Sequence, residues 1–541
     1  MFKVVRLIFN FALLYNLETY KEPFWAKSGN YTRGRDPLGV QNSSISVYAT
    51  LLPGMTNLTL RLRYYGFYLW LLDEYHKLPN ENIFRQNFNS QYTFIRRAEL
   101  IIALLMQSKY PNEQSIIGSN FASDKLNNFN DTGTFDISKG ADKNKDTEKG
   151  SVYWDYTSGA LGQYYAGSLI ALNLIEMREG YFVRTDEQGV KLANAYRNSI
   201  SKKAIILFLK RISEGKLELS DIDMLEEFAI NKNYKDTDEG KFYLKMLLAD
   251  DGKKHTKING MIPSQRRETI SLFLKFLSRK NNDWEHLPKF EYINILSNSE
   301  DNGAQFGWYY YYLNELTHYC IESIFWGLLF EMDKGSYLVK DFTHYIKENV
   351  HTELKHLLNI NEAITIKESL TLIKDDSETL DYLSNIEEEI KNNNSFKTIS
   401  LSIIFLQRLY NDNINLLDKA RAYARSHSLE AKNGNALSIF FEYLESKISL
   451  NTADYISNIV LKLINEHTRV AYGKMGNGDK NLLKFIVEDN FLIHIETMKP
   501  NFTNPRLKTL YNFTRDLGLV SSESRLSEDG NSLFKKLNLN E

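Results

Sequence analysis

Cysteine, proline and net charge are what this 541-residue chain has least of, and each scarcity removes a class of explanation. The one cysteine, Cys320, cannot form an internal disulfide. Nor can it supply a thiolate zinc site, which takes two or more sulfurs, so a reducing, cytoplasmic location is expected. A formal net charge of -2 gives no global attraction to a polyanion. Any nucleic-acid contact must then come from a local basic patch. Long apolar runs are missing too: the nearest, 158–175, contains Gln163, Asn173 and several glycines. That falls short of a membrane span, and a soluble chain with no membrane contact is expected. At the amino end Lys3 and Arg6 precede an apolar stretch, but Asn10 and Asn16 interrupt it. With no small-residue cleavage signal after it, no secretory leader is expected.

Only nine prolines interrupt the chain, and apolar residues recur with a helical rhythm over long segments, so the expected class is mainly α in an irregular multi-helical arrangement. Hydrophobic residues at 43% and aromatics at 13% suffice for large cores. Domains of roughly 100–200 residues would give about three units. Composition places boundaries near 120, 200 and 500: a helical domain over 1–120, a charged loop and winged-helix-like unit over 121–200, a helical domain over 201–500, and a second winged-helix-like unit over 501–541. In the first, Leu58, Leu62, Tyr65, Leu69 and Leu72 share a face, with Thr56 or Asn57 as N-cap after the Pro53-Gly54 turn. Phe94, Ala98, Ile101 and Leu105 repeat the rhythm, stopped by Pro111. Residues 139–149, charged and aperiodic, read as a mobile surface loop. From 201 onward helices dominate, including an aromatic-rich segment over 303–332, with no fixed repeat.

The winged-helix-like order is helix, hairpin, helix. Over 157–196, Leu161, Tyr165, Leu169 and Leu172 line a helix that leads into a strand at 174–178. A Glu179-Gly180 turn and a returning strand at 181–184 follow, and Thr185 with Gln188 forms a capping box for a helix at 186–197. At the carboxyl end a helix over 505–517 is stopped by Gly518. Short strands at 519–520 and 525–526 then precede a helix capped by Ser527. No Lys or Arg falls between Gly150 and Met177, so the first unit suits a protein surface, with Gln163 and Tyr164 among its contacts. The second carries Arg506, Lys508 and Arg515, enough for a few phosphate contacts, or an ordinary solvated helix face.

No catalytic constellation emerges. His351 and His356 stand five apart, on different faces of a helix, and make no HExxH site. His318 and Cys320 diverge on one helix and read as core. Residues 473–478 are glycine-rich but lack the ending and strand context of a P-loop, and read as a loop. Glu353-Leu-Lys355 lies in a helical pattern, without the strand context of a nuclease core. No cofactor or metal is implied.

Two features stand out. The run Trp308-Tyr309-Tyr310-Tyr311-Tyr312 must cover every face of a helix. Either the helix is buried all round or some rings, Trp308, Tyr309 and Tyr312 foremost, meet a partner; base stacking is a third use. Near the amino end Arg33, Arg35, Arg61, Arg63, Arg96 and Arg97 would make a basic patch, with Arg61 and Arg63 as phosphate contacts, unless Asp36, Asp73 and Glu99 neutralise it.

The segments Asp36-Pro-Leu-Gly39, Leu52-Pro-Gly54, Arg61-Leu-Arg-Tyr-Tyr-Gly-Phe-Tyr-Leu-Trp70, Arg96-Arg-Ala-Glu99, Ile117-Gly-Ser119 and Gly159-Ala-Leu-Gly-Gln-Tyr-Tyr165 lie within residues 35–200. Over that stretch the chain resembles subunits of multi-gene bacterial antiphage defence loci of the Lamassu or Menshen kind. The resemblance implies a partner-dependent subunit beside an ATPase of the structural-maintenance-of-chromosomes type, with effector chemistry on another chain, and it carries over no catalytic residue. The leading expectation is a non-enzymatic scaffold or adaptor. A winged-helix DNA-binding regulator and a metal-dependent nuclease are the alternatives.

Overall fold

The fold is mainly helical with small sheets only. The computed structural model describes residues 36–248, 263–279, 296–301, 303–373, 379–427, 429, 436–476, 482–521 and 525–538. The expectations for the amino-terminal stretch and for Arg33 and Arg35 lie outside the described residues. Among the described residues no helix is long and apolar enough to cross a membrane.

The described residues form two compact units, each of discontinuous sequence: 36–44 with Leu313–Thr503, and Ile45–Tyr312 with 504–538. These cut across boundaries at 120, 200 and 500. Seven short strands are present among the described residues: β1 Thr134–Asp136, β2 Ile175–Arg178, β3 Tyr181–Arg184, β4 Lys216–Glu218, β5 Tyr337–Leu338, β6 Phe485–Glu488 and β7 Phe491–His494. They pair antiparallel as β1–β4, β2–β3 and β5–β7–β6.

The Ile45–Tyr312 unit is built on the helix Arg63–His76, buried on nearly every side. A helix apolar all round belongs in the interior, and this one meets the helix Gln188–Asn198 and strand β3. Trp70 packs on Phe208 and Phe228, ring centroids 5.6 and 5.0 Å away, and those two stack at 4.3 Å. Gly66 lets a neighbour approach: an added Cβ would sit 2.2 Å from the Tyr243 hydroxyl. The helix starts seven residues after Thr56, because Thr56 instead accepts the amides of Leu58 and Thr59 in a side-chain-closed turn, and Leu58 is exposed. The second predicted helix extends over Phe88–Lys109. The expected loop at 139–149 begins inside a short helix, Ile137–Ala141, where Gly140 and Ala141 are buried; the charged residues beyond are mostly exposed.

Helix, hairpin, helix is present over 161–198. Strands β2 and β3 reverse at Glu179 and Gly180, both at positive φ. Thr185 accepts the Gly189 amide at 3.0 Å, one residue beyond the box expected with Gln188. At the carboxyl end Leu507–Asp516 is helical, Gly518 is left-handed, Val520 bridges Leu526, and Ser527 accepts the Gly530 amide before the helix Glu528–Asn538.

In the other unit, Val339–Leu358 packs against Ser395–Asn413 and Thr452–Gly476. Residues 473–476, expected as part of a loop, are instead the last turn of that third helix; 477 and 478 lie outside the described residues. The hairpin β6–β7 replaces an expected helical stretch: Asp489 and Asn490, both at positive φ, form the two-residue reversal.

Candidate interaction surface

The arginines expected to meet phosphate turn inward. Arg63 is fully buried, paired with Glu239 at 3.2 Å, donating to the Ala229 and Glu227 carbonyls and lying over the Tyr196 ring. Arg61 is buried between Glu113 at 2.6 Å and Asp516 at 3.4 Å. Arg97 pairs with Asp142 through two bonds, and Arg96 donates to the carbonyls of Ala141, Trp154 and Tyr156. A guanidinium already desolvated and matched to acids or carbonyls has nothing to offer a phosphate, so Arg61 and Arg63 are corrected from contacts to core braces. Asp73 is neutralised, by Arg184, Arg197 and Lys77.

The aromatic run is corrected as well. Trp308 is fully buried and donates Nε1–H to Thr269 at 3.2 Å; Tyr311 lies edge-on to both Trp308 and Tyr48; Tyr312 is buried, and Tyr309 half-buried beside Phe306. The helix Ala304–Met332 meets neighbours on all sides, and its rings serve the interior. His318 and Cys320 are buried as core residues, and burial pushes the Cys320 thiol up.

The rings that do reach the surface lie elsewhere, on a frame built around Glu99. Its carboxylate is fully buried and accepts four bonds: from the Tyr68 hydroxyl at 2.8 Å, the Tyr153 hydroxyl, and the amides of Ala160 at 3.0 Å and Leu161 at 2.8 Å. Burial raises its pKa, and the four donors work against that rise. Gly159, at positive φ, is held so close that a Cβ would stand 2.7 Å from the carboxylate. This anchors a π-turn at Leu161–Tyr165 continued by the helix Ala166–Ala171. The wider turn sends Leu161 and Tyr165 inward, Tyr165 onto Tyr64, Tyr65 and Tyr68, while Gln163 is exposed and Tyr164 half-exposed. Such bulges recur where a helix presents unusual side-chain geometry.

Arg96, through its carbonyl bonds, holds the preceding loop against this frame. Trp154 donates to Gln163 at 2.8 Å and stands edge-on to Tyr164 at 5.3 Å. Tyr156 is 51% exposed. Burial raises the Tyr92 pKa, and electrostatic interaction with Tyr156 raises it further, which puts the two rings near one another. Tyr92 also stacks edge-on to the exposed Phe88 at 5.8 Å and donates to the Gly180 carbonyl. Met177, on β2, is 46% exposed. Of the expected partner residues, then, Gln163 and Tyr164 lie at the surface. Trp154, Tyr156, Phe88 and Tyr92 were missed, although the aperiodic Tyr153-Trp-Asp-Tyr156 before a glycine-rich turn was a readable signal.

Of the carboxyl-terminal cations, Lys508 and Arg515 are exposed on one helix, while Arg506 is largely engaged, over the Tyr48 ring and bonded to the Leu52 carbonyl at 3.2 Å. Among the described residues no group of three His, Cys, Asp or Glu side chains is arranged to hold a metal ion. No family model, curated protein or solved structure matches the chain.

Proposed function

We propose that the chain is a non-enzymatic adaptor subunit that holds a protein partner on the aromatic surface formed by Trp154, Tyr156, Gln163, Tyr164, Phe88, Tyr92 and Met177. The observation that carries this reading is the combination of solvent-facing rings and a rigid support: four bonds to Glu99 and three from Arg96 fix the backbone that presents them. Exposed aromatic and methionine side chains on a preorganised frame are the usual composition of an interface core, because little side-chain entropy is lost on docking. From the resemblance over residues 35–200 we propose that this partner belongs to a bacterial antiphage defence complex, with an ATPase of the structural-maintenance-of-chromosomes type and a separate effector.

Tagged full-length chain expressed with its neighbouring genes should co-purify with one of their products. Tyr156→Asp with Tyr164→Asp should lower that recovery about 100-fold, since two central rings are each worth about 1–2 kcal/mol. Unchanged recovery with the double variant, or a partner-free chain protective alone, overturns the reading.

A second reading is favoured by one observation: Lys508 and Arg515 are exposed on one helix and form no salt bridge among the described residues, although Arg515 lies near enough to Asp516 to help stabilise its charge. It makes the carboxyl-terminal unit a DNA contact. Lys508→Ala with Arg515→Ala should then reduce the slope of log affinity against log salt by about 2; an unchanged slope rules it out.

A further inference from the structure

Glu315, His318, Tyr319 and Glu322, all on the helix Ala304–Met332, fall on one face at steps of three and four. Over them lie residues 501–503, part of a stretch, 495–505, that forms neither helix nor strand. Glu315 accepts the Thr503 amide at 2.9 Å and the Thr503 hydroxyl at 2.6 Å. His318 donates Nε2–H to the Asn501 carbonyl at 3.0 Å, and Glu322 accepts the Asn501 amide at 3.0 Å. Phe502 stacks on Tyr319, ring centroids 4.1 Å apart. The two carboxylates and the imidazole are fully buried, whereas Asn501 is exposed and Phe502 and Thr503 are half-buried. Three surface residues thus separate three ionisable groups from water.

We infer that residues 501–503 are a pH-controlled strap, closed over Glu315, His318 and Glu322 in acid and released as the pH rises through neutrality. His318 Nδ1 lies 3.4 Å from Glu315 and 3.4 Å from the Ser44 hydroxyl, and Gln41 donates to Glu322 at 2.7 Å. The charged groups that bear on the cluster from other segments are acids as well. Asp36, whose carboxylate accepts the amides of Leu38, Gly39 and Gln41, acts on His318 and Glu322; Glu387, on the helix Thr379–Lys391, acts on Tyr319. Lys474 donates to the main-chain carbonyl of Asp36. A dry site with more acids than bases holds its protons. Burial pushes the Glu322 pKa up to about 7, against His318 and the Asn501 amide. Burial pushes the His318 pKa down, but Glu315 and Glu322 outweigh it and raise the value. Both groups therefore bind their protons more tightly under the strap than in water. The Glu322 contribution to closure is complete below about 4.5 and is lost as the pH rises through about 7; that of His318 is complete below 6.5 and is lost above it. At higher pH the closed site would hold an ionised Glu322 with Glu315 and an uncharged imidazole, and opening the strap brings water to them.

Amide exchange of the full-length chain, corrected for its intrinsic pH dependence, should speed about tenfold at residues 501–503 between pH 6 and pH 8.5, with the helix Ser395–Asn413 unchanged. Glu322→Gln keeps an acceptor for the Asn501 amide and removes the charge, so it should cut that change to less than about threefold. Phe502→Ala removes the stack and leaves the ionisable groups in place. It should speed exchange about fivefold at both pH values and preserve their ratio, which a strap held for structure alone would not show. Equal exchange at the two pH values in the wild type, a full tenfold change retained by Glu322→Gln, a ratio lost in Phe502→Ala, or equal acceleration of the helix Ser395–Asn413 each overturns the inference.

Discussion

The two hairpins β2–β3 and β6–β7 are the same length, reverse through two residues at positive φ, and each has an outer strand with no strand beyond it; they differ in what meets that strand. In the first, Phe182 of β3 points its amide and carbonyl outward, and the side chain of Gln91 takes both, accepting at 2.9 Å and donating at 3.0 Å. One glutamine, on the helix Phe88–Lys109, acts as a third strand. In the second, nothing in the described chain does this for Val487. A hairpin's sequence thus sets its turn and register, whereas the fate of its edge is set by what the rest of the unit brings alongside.

The largest expected effect tests the helix that covers the first hairpin. Glu99→Ala strands two hydroxyls and two amides in the interior, and should lower stability in urea by about 3–5 kcal/mol while loosening the Trp154–Tyr164 surface. A loss below 1 kcal/mol would mean the frame is not held by Glu99.

Acidification separates the two hairpins. Burial, aided by Lys484, pushes the His467 pKa down to about 4 against the opposing Pro37 carbonyl. The neutral ring accepts the Lys484 amide at the base of β6, at 3.0 Å. Because the folded value lies below the unfolded one of about 6.5, this contribution is complete above 6.5 and is lost as pH falls toward 4. Up to about 3 kcal/mol is at stake, read as faster amide exchange at residues 484–486 after correction for the intrinsic pH dependence. The first hairpin is tied through Arg184 to Asp73, at 2.6 Å. Burial acts to raise the Asp73 pKa, but bonds from Arg197, Lys77 and Arg184 outweigh it and hold it below the ordinary carboxylate range. Its contribution is therefore present above about pH 3.8 and disappears only below that. Equal loosening of both hairpins between pH 6.5 and 4 would contradict this separation.

Smaller still is Gln91→Leu, which keeps the bulk and removes the amide. It should cost about 1–3 kcal/mol and raise amide exchange at Phe182, making the first edge resemble the second. The smallest change is Val487→Pro, expected to alter the stability of the chain by less than about 0.5 kcal/mol, since no described group bonds the Val487 amide. A larger loss would show that the Val487 amide already has a use in the chain.

Much of the helical architecture could be read from residue order, because a 3.6-residue rhythm is a local property. The β2–β3 turn was legible for the same reason, in Glu179-Gly180. The β6–β7 hairpin was not: Asp489-Asn490 is as strong a turn pair, but the surrounding apolar residues fit a helix as well as a strand. Among site residues, Gln163 and Tyr164 were legible because a stretch without cations before a hairpin suggested a protein contact. Arg61, Arg63 and Trp308 misled, since a charged or aromatic residue reads alike whether it faces water or a matched partner inside.

Residue order alone determined that this chain would be mainly helical, would carry no internal disulfide, and would turn at its glycines, since those depend on backbone preferences and on the inventory of side chains. Tertiary structure decided which charges are spent within and which rings stay wet. Glu239 reaches Arg63 across 176 residues and Gln91 reaches Phe182 across 91, and no local pattern encodes such meetings. Burial is a property of what arrives from elsewhere in the chain, so the surface is whatever that arrival leaves uncovered.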